Sequence, residues 1–294
     1  MANLGFVGLG LMGSRIVKRL LAAGHHVSGY NRTRAKAEPL IQAGMQWKDT
    51  PREVAQAADI TFSMVMDTAA LSSITEGPDG VLGGLSAGKI YVDMSTVSPR
   101  LSRDLAGHVA ATGAQMLEAP VSGSVSAVES GTLVIYVGGS PEALENVRPI
   151  LEQLSQKIIH VGENGQAVAT KIAINLNLPA QLIPLFEGVL LAERSGLSRA
   201  AALDALLNSV AASTAMKYRA PFILNMPEEV WFSAGMMLKD IQLARELGEE
   251  LGVSLRTVEL SEEMLIKAKE WGWGDEDFAV LFRVVERMSA RSNS

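Results

Sequence analysis

Residues 5–13 read Gly5-Phe6-Val7-Gly8-Leu9-Gly10-Leu11-Met12-Gly13. The run Asn3–Gly8 has the apolar pattern of a short strand, Met12–Ala23 is amphipathic at helical spacing, and His26–Tyr30 reads as a second strand. The glycines therefore fall on the strand-to-helix turn of a βαβ unit, where each has a separate task. Gly8 allows the tight turn, Gly10 lets a pyrophosphate approach the N–H groups at the positive end of the helix, and Gly13 permits close packing of helix on strand. Gly8, Leu9, Gly10, Leu11, Met12 and Gly13 are thus expected to hold a dinucleotide; the competing reading is a purely structural glycine-rich turn.

The end of the second strand decides which dinucleotide. NAD-binding chains carry an acid about 20 residues after the glycines to accept bonds from the ribose hydroxyls. Here the run is Tyr30-Asn31-Arg32-Thr33-Arg34 with Lys36 close behind, so no carboxylate repels a 2′-phosphate. Arg32 offers that phosphate a planar fork, Asn31 and Thr33 offer hydrogen bonds, and Arg34 or Lys36 adds charge. The expectation is NADP(H); the alternative is a solvated basic start to a helix.

Outward from this unit, strand-like runs continue at Asp59–Met66, Lys89–Met94, Ala114–Glu118, Thr132–Gly138 and Lys157–Val161, separated by helical patterns such as Pro99–Ala111 and Pro141–Leu154. Alternation of this kind predicts an α/β domain with a parallel sheet covered by helices. After Gly162 the β pattern stops and a long apolar-rich helical segment runs from about Asn164 to Ser195, with Pro179 and Pro184 expected to kink it. The expected architecture is a Rossmann-like doubly wound NADP-binding domain, residues 1–162, followed by an all-α substrate and dimerisation domain, residues 163–294, joined by a long interdomain helix.

Bulk composition narrows the class. With 294 residues and 48% hydrophobic content the chain can bury a large core. A net charge of −6 with dispersed Lys and Arg argues against nucleic acid as a partner. No uninterrupted apolar run approaches the roughly 20 residues of a membrane span, and no leader pattern precedes Asn3, so a cytoplasmic protein without a membrane partner is expected. The absence of cysteine removes disulfides and thiolate chemistry. His25, His26, His108 and His160 are scattered without ligand spacing, so no metal is expected.

Chemistry is expected near the carboxyl ends of the strands. Asp93-Met94-Ser95-Thr96 is a strand end running into a polar turn, and Glu118-Ala119-Pro120-Val121-Ser122-Gly123-Ser124 offers small residues and free N–H groups suited to a carboxylate. In the third segment, Gly165–Asn175, Lys171 and Asn175 are four residues apart and share a helix face. Ile172, Ala173 and Ile174 around Lys171 imply partial desolvation, which lowers an ammonium pKa toward the range useful for proton transfer. On spacing alone, Ser122–Ser124 reads equally as a plain loop and Lys171 as a snorkelling surface lysine.

Five ordered segments resemble the β-hydroxyacid dehydrogenase family: Gly5–Gly13, Asp93–Pro99, Glu118–Ser124 with Gly131–Gly139, Gly165–Asn175, and Lys239–Gly252. The likeness extends from Gly5 to about Met288. It is closest to the glyoxylate/succinic semialdehyde reductase branch at Asn31-Arg32-Thr33. The resemblance implies that Lys171 is the general acid/base and Asn175 its helper at the substrate oxygen. It implies that Ser122, Gly123 and Ser124 bind the substrate carboxylate and that Thr96 and Lys239 contact cofactor or substrate; Met64 and Val65 are expected to join the glycine loop and Asn31, Arg32, Thr33 and Lys36 in cofactor contact. The implied activity is NADPH-dependent interconversion of a small carboxylic-acid semialdehyde, or glyoxylate, and its hydroxyacid.

Two departures from the family pattern leave the substrate open: Ile174-Asn175 stands where many members have consecutive asparagines, and Ser124 stands where many have a second glycine. Imine reductases, which resemble the same two-domain plan and share the Asn-Arg-Thr run, are the main alternative; they generally lack a lysine at the position of Lys171. A noncatalytic NADP-binding scaffold is the second alternative. Trp231, Phe232, Met236 and Met237, just before Lys239, read as an apolar wall over the nicotinamide or as plain core, with core favoured for most of them, and Asp240 reads as an ion-pair partner of Lys239. The apolar connecting helix predicts a homodimer or homotetramer.

Overall fold

A computed structural model describes residues 1–291. Its first half runs β1 (Asn3–Val7), α1 (Leu11–Ala22), β2 (His26–Tyr30), α2 (Glu38–Gln42), β3 (Gln46–Trp47), α3 (Pro51–Ala57), β4 (Ile60–Ser63), α4 (Thr68–Thr75), β5 (Ile90–Asp93) and α5 (Pro99–Ala111). It continues through β6 (Gln115–Glu118), β7 (Val121–Ser122), α6 (Val125–Ser130), β8 (Leu133–Gly139), α7 (Pro141–Leu151), β9 (Ser155–Gly162) and α8 (Gln166–Asn175). The sheet order is β3-β2-β1-β4-β5-β6-β8-β7, with β9 alongside β8. Strand order reverses direction between β1 and β4, the position at which open α/β sheets form a ligand crevice. The strands are buried on both faces and read as apolar runs: Leu4, Phe6, Phe62, Val92 and Leu117 lie in one core with Ile16, Val17 and Leu20 from α1. Each such side chain contributes roughly 1.5–3 kcal/mol by leaving water.

The sheet departs from the all-parallel expectation at one edge. Pairings among β1 to β6 are parallel, but β8 runs antiparallel to both β6 and β7. The cause is the connection. A parallel crossover needs a helix long enough to carry the chain back along the sheet, whereas the 6 residues of α6 rise only about 9 Å. The chain therefore starts β8 at the end it has reached and returns beside β6. β3 and β7, two residues each, lie below the length at which periodicity can be read.

The contacts divide the chain after Lys171, inside α8, into a unit of residues Met1–Lys171 and a second from Ile172 onward. The change from strand to helix falls at Gly162, but the first turn of α8 remains tied to the sheet. Beyond it lie α9 (Asn177–Arg194), α10 (Arg199–Leu207), α11 (Thr214–Arg219), α12 (Ala234–Leu251), α13 (Arg256–Glu270) and α14 (Leu281–Arg291). The second unit is helical around α9, which packs on α10, α13 and α14; Phe186 of α9 meets Phe282 of α14 edge to face at 5.7 Å. α8 and α9 are separated only at Leu176. Pro179 accounts for the break, because it has no N–H to donate to the carbonyl of Asn175. Pro184, the other expected kink, lies inside α9.

Residues Gln166–Arg194, α8 and α9 together, are by length and composition long and apolar enough to cross a bilayer, with a mean hydropathy of 1.3 over an 18-residue window. No uninterrupted apolar run spans the segment, because polar residues such as Lys171 and Asn175 break it. The apolarity serves packing: Pro179, Leu182, Ile183, Leu185, Phe186 and Val189 are buried within the protein.

Candidate active site

The glycine loop has the expected geometry. Gly8 sits at φ +99°, and a Cβ there would lie 2.3 Å from the Met64 carbonyl oxygen. A Cβ on Gly13 would lie 2.1 Å from the Gly8 oxygen and 3.0 Å from Phe6, so α1 can approach β1 only through glycine. Gly10 differs: a Cβ there would meet nothing within 4 Å. No side chain caps α1 and its first turn holds no acid. Open space beside an uncapped helix N-terminus fits a cofactor pyrophosphate. Leu9 turns its side chain into the core and Met12 packs against that core, so these two offer the loop their backbone.

At the end of β2, Asn31 is an organiser of the loop. Its Oδ1 accepts the Leu9 N–H at 3.1 Å and its Nδ2 donates to the Thr33 carbonyl at 2.9 Å. Arg32, Thr33 and Lys36 stand exposed beyond it. Arg34 lies over the Trp47 ring, its Cζ 5.3 Å from the centroid, and Trp47 in turn stacks on Tyr30.

Met64 and Val65 follow β4 and close the wall opposite Gly8: a Cβ on that glycine would reach Val65 Cγ1 at 3.2 Å. Their position is fixed by a buried network that the sequence did not reveal. Ser63 and Ser95 both donate to Asp93 Oδ1 at 2.7 Å, and the Val65 N–H donates to Ser95 Oγ at 3.0 Å. Ser63 spends its proton on Asp93, so Tyr91 is the donor in their 2.6 Å hydrogen bond. Asp93 is fully buried, and that burial pushes its carboxyl up to about 6. Thr96, half-buried, follows directly.

Ser122 ends β7, Gly123 takes φ +118°, and Ser124 immediately precedes α6. A Cβ on Gly123 would lie 2.7 Å from Ala127 Cβ, so the loop needs glycine there. Glu118, at the end of β6, is also fully buried. Its carboxylate accepts the N–H groups of Gly165, Ala167 (3.1 Å) and Val168 (3.3 Å), the opening turn of α8. Burial raises its pKa against the hydrogen bonds it receives.

Lys171 is half-buried on α8 and Asn175 stands one turn further along, buried. In the second unit Asn175 Nδ2 donates to Asp240 Oδ2, and Lys239 Nζ lies 2.7 Å from Asp240 Oδ1. Asp240 is thus the expected ion-pair partner of Lys239 and, beyond that expectation, the anchor of Asn175. Of the residues preceding Lys239, Met237 is buried core, whereas Trp231, Phe232 and Met236 are half-buried. Trp231 packs against Tyr218 and Phe222, and Asp277 holds the Phe232 N–H and the Arg219 guanidinium.

Residues 3–162 match the NAD-binding domain model of 6-phosphogluconate dehydrogenase, and residues 165–285 match the NAD-binding model of NADP-dependent 3-hydroxyisobutyrate dehydrogenase. The chain belongs to the β-hydroxyacid dehydrogenase family. A curated relative, the chloroplastic glyoxylate/succinic semialdehyde reductase 2 of Arabidopsis thaliana, is 30% identical over 98% of this chain and 81% of its own length. Among solved structures, Psf3 in complex with NADP+ and 2-OPP aligns with TM-score 0.88 at 30% identity, covering 96% of this chain and 99% of that one. The 3-hydroxyisobutyrate dehydrogenase of Mycobacterium tuberculosis, solved with L-serine, aligns with TM-score 0.86 at 27% identity over 97% and 99%. As a β-hydroxyacid dehydrogenase the chain is an oxidoreductase with a nicotinamide cofactor and a small-molecule substrate.

Asp93, Glu118 and Asp240 are the structural supports of the candidate site, and none is marked as such by the sequence alone. All three are buried acids, each with a partner from a distant element, at separations of 30 residues for Ser63 and Asp93, 47 for Glu118 and Gly165, and 65 for Asn175 and Asp240. The signal available in sequence was the acid itself, ending an apolar strand or embedded in a helix face, where an unpaired charge is costly.

Proposed function

We propose that this β-hydroxyacid dehydrogenase is NADPH-dependent and interconverts a small carboxylic-acid semialdehyde, or glyoxylate, with the corresponding hydroxyacid. The observation that carries the reading is Lys171, half-buried on a helix docked to the sheet at its start, with Asn175 one turn away and held by Asp240. When bound, the nicotinamide supplies or removes the hydride. Lys171 protonates the carbonyl oxygen during reduction and takes the proton back during oxidation, a role suited to an amine partly withdrawn from water. Asn175 steadies that oxygen in its hydroxyl form, accepting the O–H on Oδ1. Ser122, Gly123 and Ser124 receive the substrate carboxylate, and Thr96 and Lys239 complete the cofactor and substrate contacts.

Preference for the 2′-phosphate rests on the exposed Arg32, Thr33 and Lys36 and on the lack of an acid in that run. The relative with a named substrate pair acts on glyoxylate and succinic semialdehyde, which supports the substrate class. Assembly as a homodimer or homotetramer would cover the part of the α8–α9 segment that the fold leaves exposed, including Leu191 at 72% exposure.

The deciding experiment follows NADPH oxidation, with NADH in parallel, against succinic semialdehyde, glyoxylate, methylmalonate semialdehyde, tartronate semialdehyde and a cyclic imine, for the wild type and Lys171→Ala. Turnover of an acid semialdehyde with NADPH that collapses in the variant supports cofactor, substrate class and proton donor together. Faster turnover of the imine than of every acid overturns the substrate class, and activity indifferent to Lys171 overturns the proton donor.

A further inference from the structure

We infer that Glu118 is a positioning residue for Lys171: its buried carboxylate docks the opening turn of α8 onto the end of β6 and thereby fixes where the lysine stands. The inference rests on reading Lys171 as the proton donor.

The arrangement goes beyond ordinary helix capping. A cap is normally supplied by the residue just before the helix, and it satisfies one or two N–H groups. Here the acceptor comes from 47 residues away on an interior strand, and its two oxygens take three N–H groups: Gly165 on Oε1, Ala167 and Val168 on Oε2. A negative group at the positive end of a helix is favourable in itself, and burial withdraws it from competing water. The strand that carries Glu118 is held on both sides, by β5 through the Asp93–Glu118 register pair and by β8 through Glu118–Gly138. The carboxylate is therefore a fixed point.

The surroundings are shaped to admit that contact. Gly138 lies against the carboxylate, and a Cβ there would stand 2.9 Å from Glu118 Oε2 and 3.2 Å from Ala167 Cβ. Gly165 reaches the carboxylate only through a left-handed backbone at φ +95°, where a Cβ would also run into Arg103 at 2.8 Å. Lys171 lies three residues past Val168, less than one turn on. A shift or tilt of the first turn is carried directly into its position, and a misplacement of about 1 Å costs on the order of 100-fold in rate.

The test compares Glu118→Gln and Glu118→Asp with the wild type by hydrogen exchange over the peptide spanning 160–176, by NADPH affinity, and by kcat on whichever semialdehyde the wild type turns over. Glu118→Gln presents an amide donor to N–H groups that need an acceptor. We expect faster exchange at 165–168, a kcat lower by about 100-fold, and NADPH affinity within about twofold of wild type, since the glycine loop is untouched. Glu118→Asp keeps the charge on a shorter arm and should recover part of both losses, which a role in bulk folding alone would not do. Unchanged exchange in Glu118→Gln, or exchange and kcat that fail to move together across the two variants, overturns the inference. Lys171→Ala keeps the two readings separate: full turnover there defeats the proton-donor role alone, while exchange at 165–168 still decides the docking.

Discussion

Asn175 Nδ2 donates to Asp240 Oδ2 at 2.5 Å, and this one bond fixes which way the asparagine amide faces. A carboxylate only accepts, so the NH2 end must turn to Asp240 and the Oδ1 end away from it. Asn175 Oδ1 is buried and meets no donor among the described residues. An acceptor left waiting in this way suits a hydroxyl, which the hydroxyacid of the proposed reaction would present. Asp240→Ala frees the amide to flip, strands it without an acceptor and removes the counter-charge of Lys239. We expect a loss of about 2 kcal/mol in urea denaturation, the usual worth of a buried hydrogen bond to a charged group, together with reduced kcat. A denaturation midpoint equal to wild type would show that Asp240 does not hold this amide.

Gly10 and Gly13 separate cofactor binding from folding. A methyl at Gly13 would stand 2.1 Å from the Gly8 carbonyl oxygen, and the neighbouring backbone cannot yield cheaply. Gly13→Ala should therefore cost about 3 kcal/mol of stability. A methyl at Gly10 meets no protein atom within 4 Å and the backbone there suits alanine, so Gly10→Ala should leave stability within about 0.5 kcal/mol. The same methyl would occupy the space into which a pyrophosphate comes, and NADPH affinity should fall at least about tenfold. Thermal melts with and without NADPH check both halves: Gly10→Ala should match the wild type without cofactor and lose most of the cofactor-induced rise in Tm.

Arg32 is exposed, so its removal should leave the fold alone. On the proposed reading it meets the 2′-phosphate through charge-assisted bonds worth about 1.5–3 kcal/mol, which is roughly a ten- to hundredfold change in affinity. Arg32→Ala should raise KM for NADPH by that factor and leave KM for NADH nearly unchanged. Equal effects on both cofactors would remove Arg32 from the discrimination.

The parts legible in sequence were those whose causes are local. The β1–α1 turn is announced by glycines whose spacing is itself the mechanism, and Pro99 and Pro141 mark helix starts because proline suits a first turn. The direction of β8 was not legible, because it follows from how far α6 can carry the chain, and that is a property of the connection. The supports of the candidate site were hidden for a related reason. Ser63, Asp93 and Ser95 meet because β4 and β5 pair in parallel, and Glu118 meets Gly165 because an interior strand ends where a helix begins. Lys171 and Asn175 were legible as a pair on one helix; Asp240, which orients Asn175, comes from a different helix and leaves no periodic trace.

Asp93 makes the pH dependence of stability a test of the network behind Val65. Burial pushes its carboxyl from an ordinary 3.8 to about 6, the bonds from Ser63 and Ser95 oppose the rise, and the neighbouring charge of Glu118 adds to it. The folded protein therefore binds this proton more tightly than the unfolded chain. The stability it contributes is complete below about pH 4 and is lost as the pH rises through about 6, amounting to about 3 kcal/mol between those limits. Asp93→Asn keeps an oxygen for Ser63 and Ser95 to donate to and cannot ionise. Acids other than Glu118 contribute alike to both proteins, so the difference between the two reports residue 93 together with its coupling to Glu118. Urea denaturation at pH 4, 5, 6 and 7 should show the variant gaining on the wild type by about 3 kcal/mol across that window and holding a constant difference above it. Parallel profiles from pH 4 to 7 would mean that Asp93 ionises normally in the fold, and that its unpartnered Oδ2 is reached by water after all.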